Sequence, residues 1–191
     1  MANLDAAAGL RPVRLGSASG YCARETKYFI PATDSTAVFI GTPVKLAGSA
    51  DTDGTHATVT AASSTDECVG VVTAVLPDNA DSLIYRAAST ARYVMVADDP
   101  AQVFEVQEVS GGTALTAAAV GLNANWAGSG GSTSTGLSSI ELNNATEATT
   151  ATLDFQILGL SPVSGNALGE HAKWLVKLNN HQFVDGTTGI S

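Results

Sequence analysis

Apolar residues along this chain recur with a period of two over short runs, and no segment sustains the 3.6-residue period of a helix. In residues 103–109 (VFEVQEV), Phe104 and Val106 point one way and Glu105 and Gln107 the other, as in a half-buried strand. Residues 152–160 (TLDFQILGL) place Leu153, Phe155 and Ile157 on one face and Asp154 and Gln156 on the other. Residues 173–178 (KWLVKL) place Trp174, Val176 and Leu178 together, with Lys177 opposite. Residues 91–97 (ARYVMVA) are apolar on both sides, which predicts a strand covered on both faces. The stop Asp98-Asp99-Pro100-Ala101-Gln102 breaks pairing and turns the chain, so 91–97 and 103–109 read as an antiparallel hairpin.

Further strands are predicted at 27–30, 37–40, 44–46, 58–61, 68–75 and 120–126, with Gly70 marking a bulge or a close contact. One short helical turn fits 111–119, and the small-residue stretches 47–55, 77–82 and 127–136 are loops. Residues 1–28 have no period and read as an arm ordered by contact with something else. The fold class is therefore all-β. A β-barrel or β-sandwich body over 29–191 carries an extended N-terminal arm over 1–28, because sheet edges must be closed or covered. A break near 109–119 would divide the body into two lobes.

Composition sharpens this picture. Only 14% of the 191 residues are charged, against about a quarter in ordinary soluble domains. Ala, Gly, Ser and Thr fill the difference, and loops built from them lose little side-chain entropy on ordering. Such a surface suits a chain that lives in an assembly. The net charge of −9 argues against direct binding to nucleic acid, whose phosphates need Lys and Arg. The charge is uneven. Residues 1–28 carry Arg11, Arg14, Arg24 and Lys27 against Asp5 and Glu25, which leaves −11 on the remainder. A basic N-terminal segment on an acidic body suits a neighbour of opposite sign. No run of about 18 apolar residues predicts a membrane span, and no secretory signal is visible, so synthesis and use in a cytoplasm are expected. The two cysteines, Cys22 and Cys68, are compatible with one bridge or with two buried thiols.

Reactive chemistry is sparse. His56, His171 and His181 show no metal-ligand spacing, and Glu170-His171 does not open a zinc-binding HExxH because Leu175 stands where the second His belongs. The stretch 16–20 (GSASG) has Ala18 in place of the nucleophilic Ser of an elbow. Asp51-Thr52-Asp53-Gly54 starts like a calcium loop but lacks its later ligands, and Asp98-Asp99 is a turn former. Asn144-Ala145-Thr146 spells a glycosylation sequon. Trp174 is expected in the core, whereas Trp126, before a Gly/Ser loop, is a candidate for an interface or a sugar platform. The reading therefore assigns no catalytic residue, cofactor or metal.

Several blocks are distinctive as a set: residues 2–14 (ANLDAAAGLRPVR), 86–108 (RAASTARYVMVADDPAQVFEVQE), 121–125 (GLNAN), 149–160 (TTATLDFQILGL) and 172–183 (AKWLVKLNNHQF). Together they resemble a family of tailed-bacteriophage virion proteins, the head decoration or capsid-stabilising proteins. The resemblance implies a non-enzymatic protein on the exterior of an icosahedral head. Its partners would be the major capsid protein and, in a homotrimer at a local threefold axis, itself. It implies no catalytic motif and carries over no functional residue. On the charge split, Arg11, Arg14 and Arg24 are the expected capsid contacts. The alternatives are a tail, head-completion or baseplate protein, or a carbohydrate-binding β-sandwich for host adhesion.

Overall fold

The computed structural model describes residues 3–16, 23–184 and 186. Twelve strands form in chain order: β1 (Arg11–Leu15), β2 (Thr26–Ile30), β3 (Pro43–Ala50), β4 (Ala57–Ala61), β5 (Gly70–Val75), β6 (Arg92–Ala97), β7 (Gln102–Gln107), β8 (Asn123–Ala124), β9 (Trp126–Ala127), β10 (Glu141–Leu142), β11 (Phe155–Leu160) and β12 (Lys173–Leu178). The one helical element among the described residues is the 3₁₀ turn Ala117–Ala119, inside the stretch where a single turn is expected. The all-β class and the barrel are thus observed.

Strands β2-β4-β3-β5-β6 close into a barrel, with β2 joining β4 in parallel at Phe29↔Thr58. Alternation decides what fills it. On β2, Tyr28 and Ile30 turn inward; on β6, Val94 and Val96 do. Seven of the nine buried residues of this core are valines, a size that suits a narrow five-stranded interior. The opposite faces bring Lys27 beside Met95 and Phe29 beside Tyr93. Gly70 is a close approach: a Cβ there would strike the Ala97 carbonyl and the Val96 side chain.

A second, five-stranded sheet runs β1-β7-β12-β11-β8, with the small pair β9-β10 beside it. Its core holds Phe104, Val106, Phe155, Ile157, Trp174 and Val176, and it also receives Val71 and Ala97 from the barrel wall and Cys68 from just before β5. Strand β12 keeps the predicted alternation, with Trp174, Val176 and Leu178 buried.

Two expectations are corrected here. Residues 91–97 and 103–109 do not form a hairpin: β6 pairs with β2 and β5, and β7 pairs with β1 and β12. The Asp-Asp-Pro stop instead carries the chain from barrel to sheet. It is a built corner, with Asp98 accepting from the Tyr28 hydroxyl (2.9 Å) and Asp99 accepting from the Ala101 N–H (2.8 Å). In addition, the polar face of β7 and the carboxylate just before β11 are not solvated. Glu105 and Gln107 are buried, and so is Asp154. Asp154 accepts from Ser64 Oγ (2.7 Å), the Thr65 N–H (2.7 Å) and the Trp126 N–H (3.2 Å). Burial pushes its carboxyl above the usual range, although those donors pull the other way.

Within residues 1–28, Arg11–Leu15 is an edge strand on β7 and Thr26–Ile30 is a barrel strand. For these residues the ordering partner is the chain itself. Residues 1–2 and 17–22 lie outside the described set, and with them Cys22 and most of the GSASG stretch.

Candidate functional site

The N-terminal stretch 3–10 forms a strap across one end of the second sheet. Its anchor is a glycine crossing. Gly9 (φ +66°) and Gly41 (φ +89°) approach so closely that a Cβ on Gly41 would lie 2.6 Å from the Ala8 carbonyl oxygen. Leu10, beside this crossing, is buried in the second core and its N–H donates to the Gly41 carbonyl (3.1 Å). Ahead of the crossing the strap is held by side-chain amides. Asn3 Nδ2 donates to the carbonyls of Ala167 and Glu170 (both 2.9 Å), and its Oδ1 accepts from the Ala167 N–H (3.1 Å). The 161–173 loop that receives it is shaped by Asn166, which donates to the carbonyls of Ser161 and Lys173 and accepts from the Lys173 N–H.

Between these points sits a polar cluster. Gln107 Oε1 accepts from the Ala6 N–H (2.9 Å). Its Nε2 lies 2.9 Å from Asp5 Oδ1, 2.8 Å from Glu141 Oε1 and 3.3 Å from His171 Nδ1. His171 Nδ1 is 3.5 Å from Asp5 Oδ1. Burial, reinforced by the Asp5 charge, pushes the Glu141 carboxyl above its usual range, against the pull of Gln107 and His171. Apolar surface is left open at the same end: Leu4 is 78% exposed, Leu168 50% and Val163 43%.

The predicted contact residues have separate fates. Arg11 is exposed, its guanidinium 3.7 Å from Glu105. Arg24 is exposed. Arg14 is half-buried and donates to the Gly16 carbonyl (2.8 Å), so it serves its own turn. Trp126 is not an open platform: it is buried, paired with Leu142 across β9 and β10, and tilted against Phe155 at 5.6 Å. It forms the floor of a cleft of about 690 Å³ rimmed by Ser35, Thr36, Ser63, Ser64 and Ser129.

The remaining polar motifs are absorbed by local structure. Asn144 is buried and donates to Glu108 and to the Val109 and Gly111 carbonyls, so the sequon amide is occupied. Cys68 is buried, and burial, with the charges of Asp154 and Asp66, pushes its thiol far up, which makes it a poor nucleophile. His181 is buried and accepts from the Phe183 N–H at Nδ1 (3.1 Å); burial lowers its pKa against the pull of Asp98 and Asp99. Among the described residues no helix is long and apolar enough to cross a membrane.

The acidic 51–54 turn is built around Asp51. Its carboxylate is 2.8 Å from His56 Nδ1 and accepts from the Tyr93 hydroxyl (3.1 Å) and the Thr55 N–H (2.9 Å). Burial pushes this carboxyl up, but the bonds from His56, Thr55 and Tyr93 outweigh it and hold it well below the usual range. With the folded-state value below the unfolded one, its stabilisation is present above about pH 4 and fades as the pH falls through the acid range. The denaturation midpoint should therefore drop on acidification, with a shallower drop in Asp51→Asn. Identical acid limbs for the two proteins would contradict this assignment.

Sequence reasoning missed the strap cluster. Asp5, Gln107, Glu141 and His171 come from four distant segments, and no spacing rule joins them. No family model, curated protein or solved structure matches this chain.

Proposed function

We propose that this chain is a structural protein of a tailed-phage virion, one that decorates and stabilises the icosahedral head by binding the outer surface of the major capsid protein's capsomers as a homotrimer. The observation that carries the reading is the strapped end. There, the exposed apolar side chains Leu4, Val163 and Leu168 stand beside a segment held mainly by polar contacts. Such a surface, poor in charge, gains free energy by being covered. The sequence resemblance to head decoration proteins supports the same reading. Many copies on a shell act as a multivalent ligand of the assembled state, so each bound copy raises shell stability by mass action. Arg11 and Arg24 are the proposed contacts to acidic capsid groups, whereas the Arg14 guanidinium is engaged by the Gly16 carbonyl of its own turn.

The test is sedimentation of the purified chain with expanded, undecorated heads, followed by electron cryomicroscopy of the particles. Removing residues 1–28 would take away an edge strand and a barrel strand, so the informative truncation ends before the Gly9–Gly41 crossing, at residue 8. The truncated chain should keep its β-rich circular dichroism spectrum and bind heads at least about tenfold more weakly, the loss of some 1.4 kcal/mol of contact. Equal saturation by truncated and full-length chains would remove the strap from the interface. Density on the tail or neck instead of the shell would overturn the reading.

A further inference from the structure

We propose that Asp5, Glu141 and His171 form a binding site for one divalent transition-metal ion, Zn²⁺ in the first instance, which fastens the N-terminal strap to the body. This goes beyond the decoration reading and does not depend on it. The ligand atoms, Asp5 Oδ1, Glu141 Oε1 and His171 Nδ1, lie within 4.8 Å of one another. More tellingly, they converge on one point. The Nε2 of Gln107 is 2.8–3.3 Å from all three, and Gln107 is only 4% exposed. An amide nitrogen offers two hydrogens, enough for the two carboxylate oxygens, and it is neutral; with Nδ1 unprotonated, as a metal ligand must be, the imidazole is a third acceptor without a hydrogen of its own. Two carboxylates therefore converge on a donor that cannot balance their charge, whereas a divalent ion would.

The donor set is the mixed imidazole and carboxylate kind that suits Zn²⁺, with a fourth position left for water. Each ligand comes from a different segment: the strap, β10 and the turn before β12. Binding therefore closes a loop between distant parts of the chain. A cavity of about 140 Å³ lined by Asn3, Leu4, Ala6, His171 and Lys173 reaches the imidazole and supplies an entry path. Drawing the ligands together is easiest at Asp5, whose side chain is 69% exposed. The Gln107 amide nitrogen withdraws from the centre as the ion enters.

The experiment is isothermal titration of the full, tag-free chain with ZnCl₂, alongside thermal melting with ZnCl₂ or EDTA. One Zn²⁺ per chain and a higher melting temperature are expected, together with slower hydrogen exchange at the Ala6 amide. Asp5→Asn, on the exposed strap, should fold normally and bind at least about tenfold more weakly, as should His171→Ala. Gln107→Glu should bind more tightly than the native chain, because its carboxylate, the third at the centre, adds a fourth protein ligand. No heat on titrating the native chain would overturn the proposal. So would Zn²⁺ binding of native strength in both Asp5→Asn and His171→Ala, since it would place the ion elsewhere.

Discussion

Replacing Arg86 by Ala should lower the melting temperature of the protein by about 10 °C or more, the shift that roughly 3–5 kcal/mol produces in a chain of this size. The Arg86 side chain is completely buried. Its guanidinium reaches four backbone carbonyls: Nε donates to Thr90 (2.7 Å), one terminal nitrogen donates to Thr36, and the other donates to Pro31 and Asp34 (2.7 Å each). The Asp34 carboxylate lies 3.6 Å away. One planar fork thus ties the 31–36 loop to the 86–90 turn at the end of the barrel, and the Arg86 backbone itself bridges to Val38. Burial lowers its pKa, and Asp34 partly restores it. Truncation leaves a cavity, several carbonyls without a donor and a carboxylate without its cation. Arg86→Lys should recover only part of the loss, because an ammonium is a point donor and cannot span four carbonyls. A melting temperature for Arg86→Ala within about 2 °C of native, near the shift that 1 kcal/mol gives at this size, would show that the loops hold without the fork.

Glu108→Ala should be comparably damaging in the second core, by about 3 kcal/mol or more. Glu108 is fully buried where β7 ends. Its Oε2 accepts from the indole N–H of Trp174 (2.9 Å), and its Oε1 accepts from the Leu115 N–H (2.7 Å) and from Asn144 (3.2 Å). Removing the carboxylate strands the indole of the largest buried side chain and frees the 110–115 segment. The urea midpoint followed by tryptophan fluorescence should fall with an unchanged slope. Glu108→Gln preserves the volume but turns an amide NH₂ toward one of these donors, so it should lie between native and Ala. A native midpoint for Glu108→Ala would mean that water satisfies the three donors equally well.

These two residues mark where the sequence stops being legible. A charged residue beside an apolar run reads as a solvated face, and Glu105, Glu108 and Asp154 all break that rule. Each is buried because donors arrive from remote positions: Ser161 for Glu105, Trp174 and Asn144 for Glu108, and Ser64 with Trp126 for Asp154. The same holds for the strap, whose cluster joins residues up to 166 positions apart in the chain, from Asp5 to His171.

What the sequence alone determined is local. The period of two set the β class and the inward face of β12, and small-residue signals marked the Gly70 contact and the single 3₁₀ turn, because backbone pleat and side-chain size act within a few residues; the two-sided cover expected for 91–97 did not form, since Tyr93 and Met95 on the outer face of β6 are only half-buried. The tertiary structure decided which strands pair. Alternation says which face is apolar and is silent on the neighbour, so the strands on either side of Asp98-Asp99-Pro100 joined different sheets instead of each other. It also decided which polar groups are interior, since a carboxylate or guanidinium is tolerated away from water only where distant segments bring it partners.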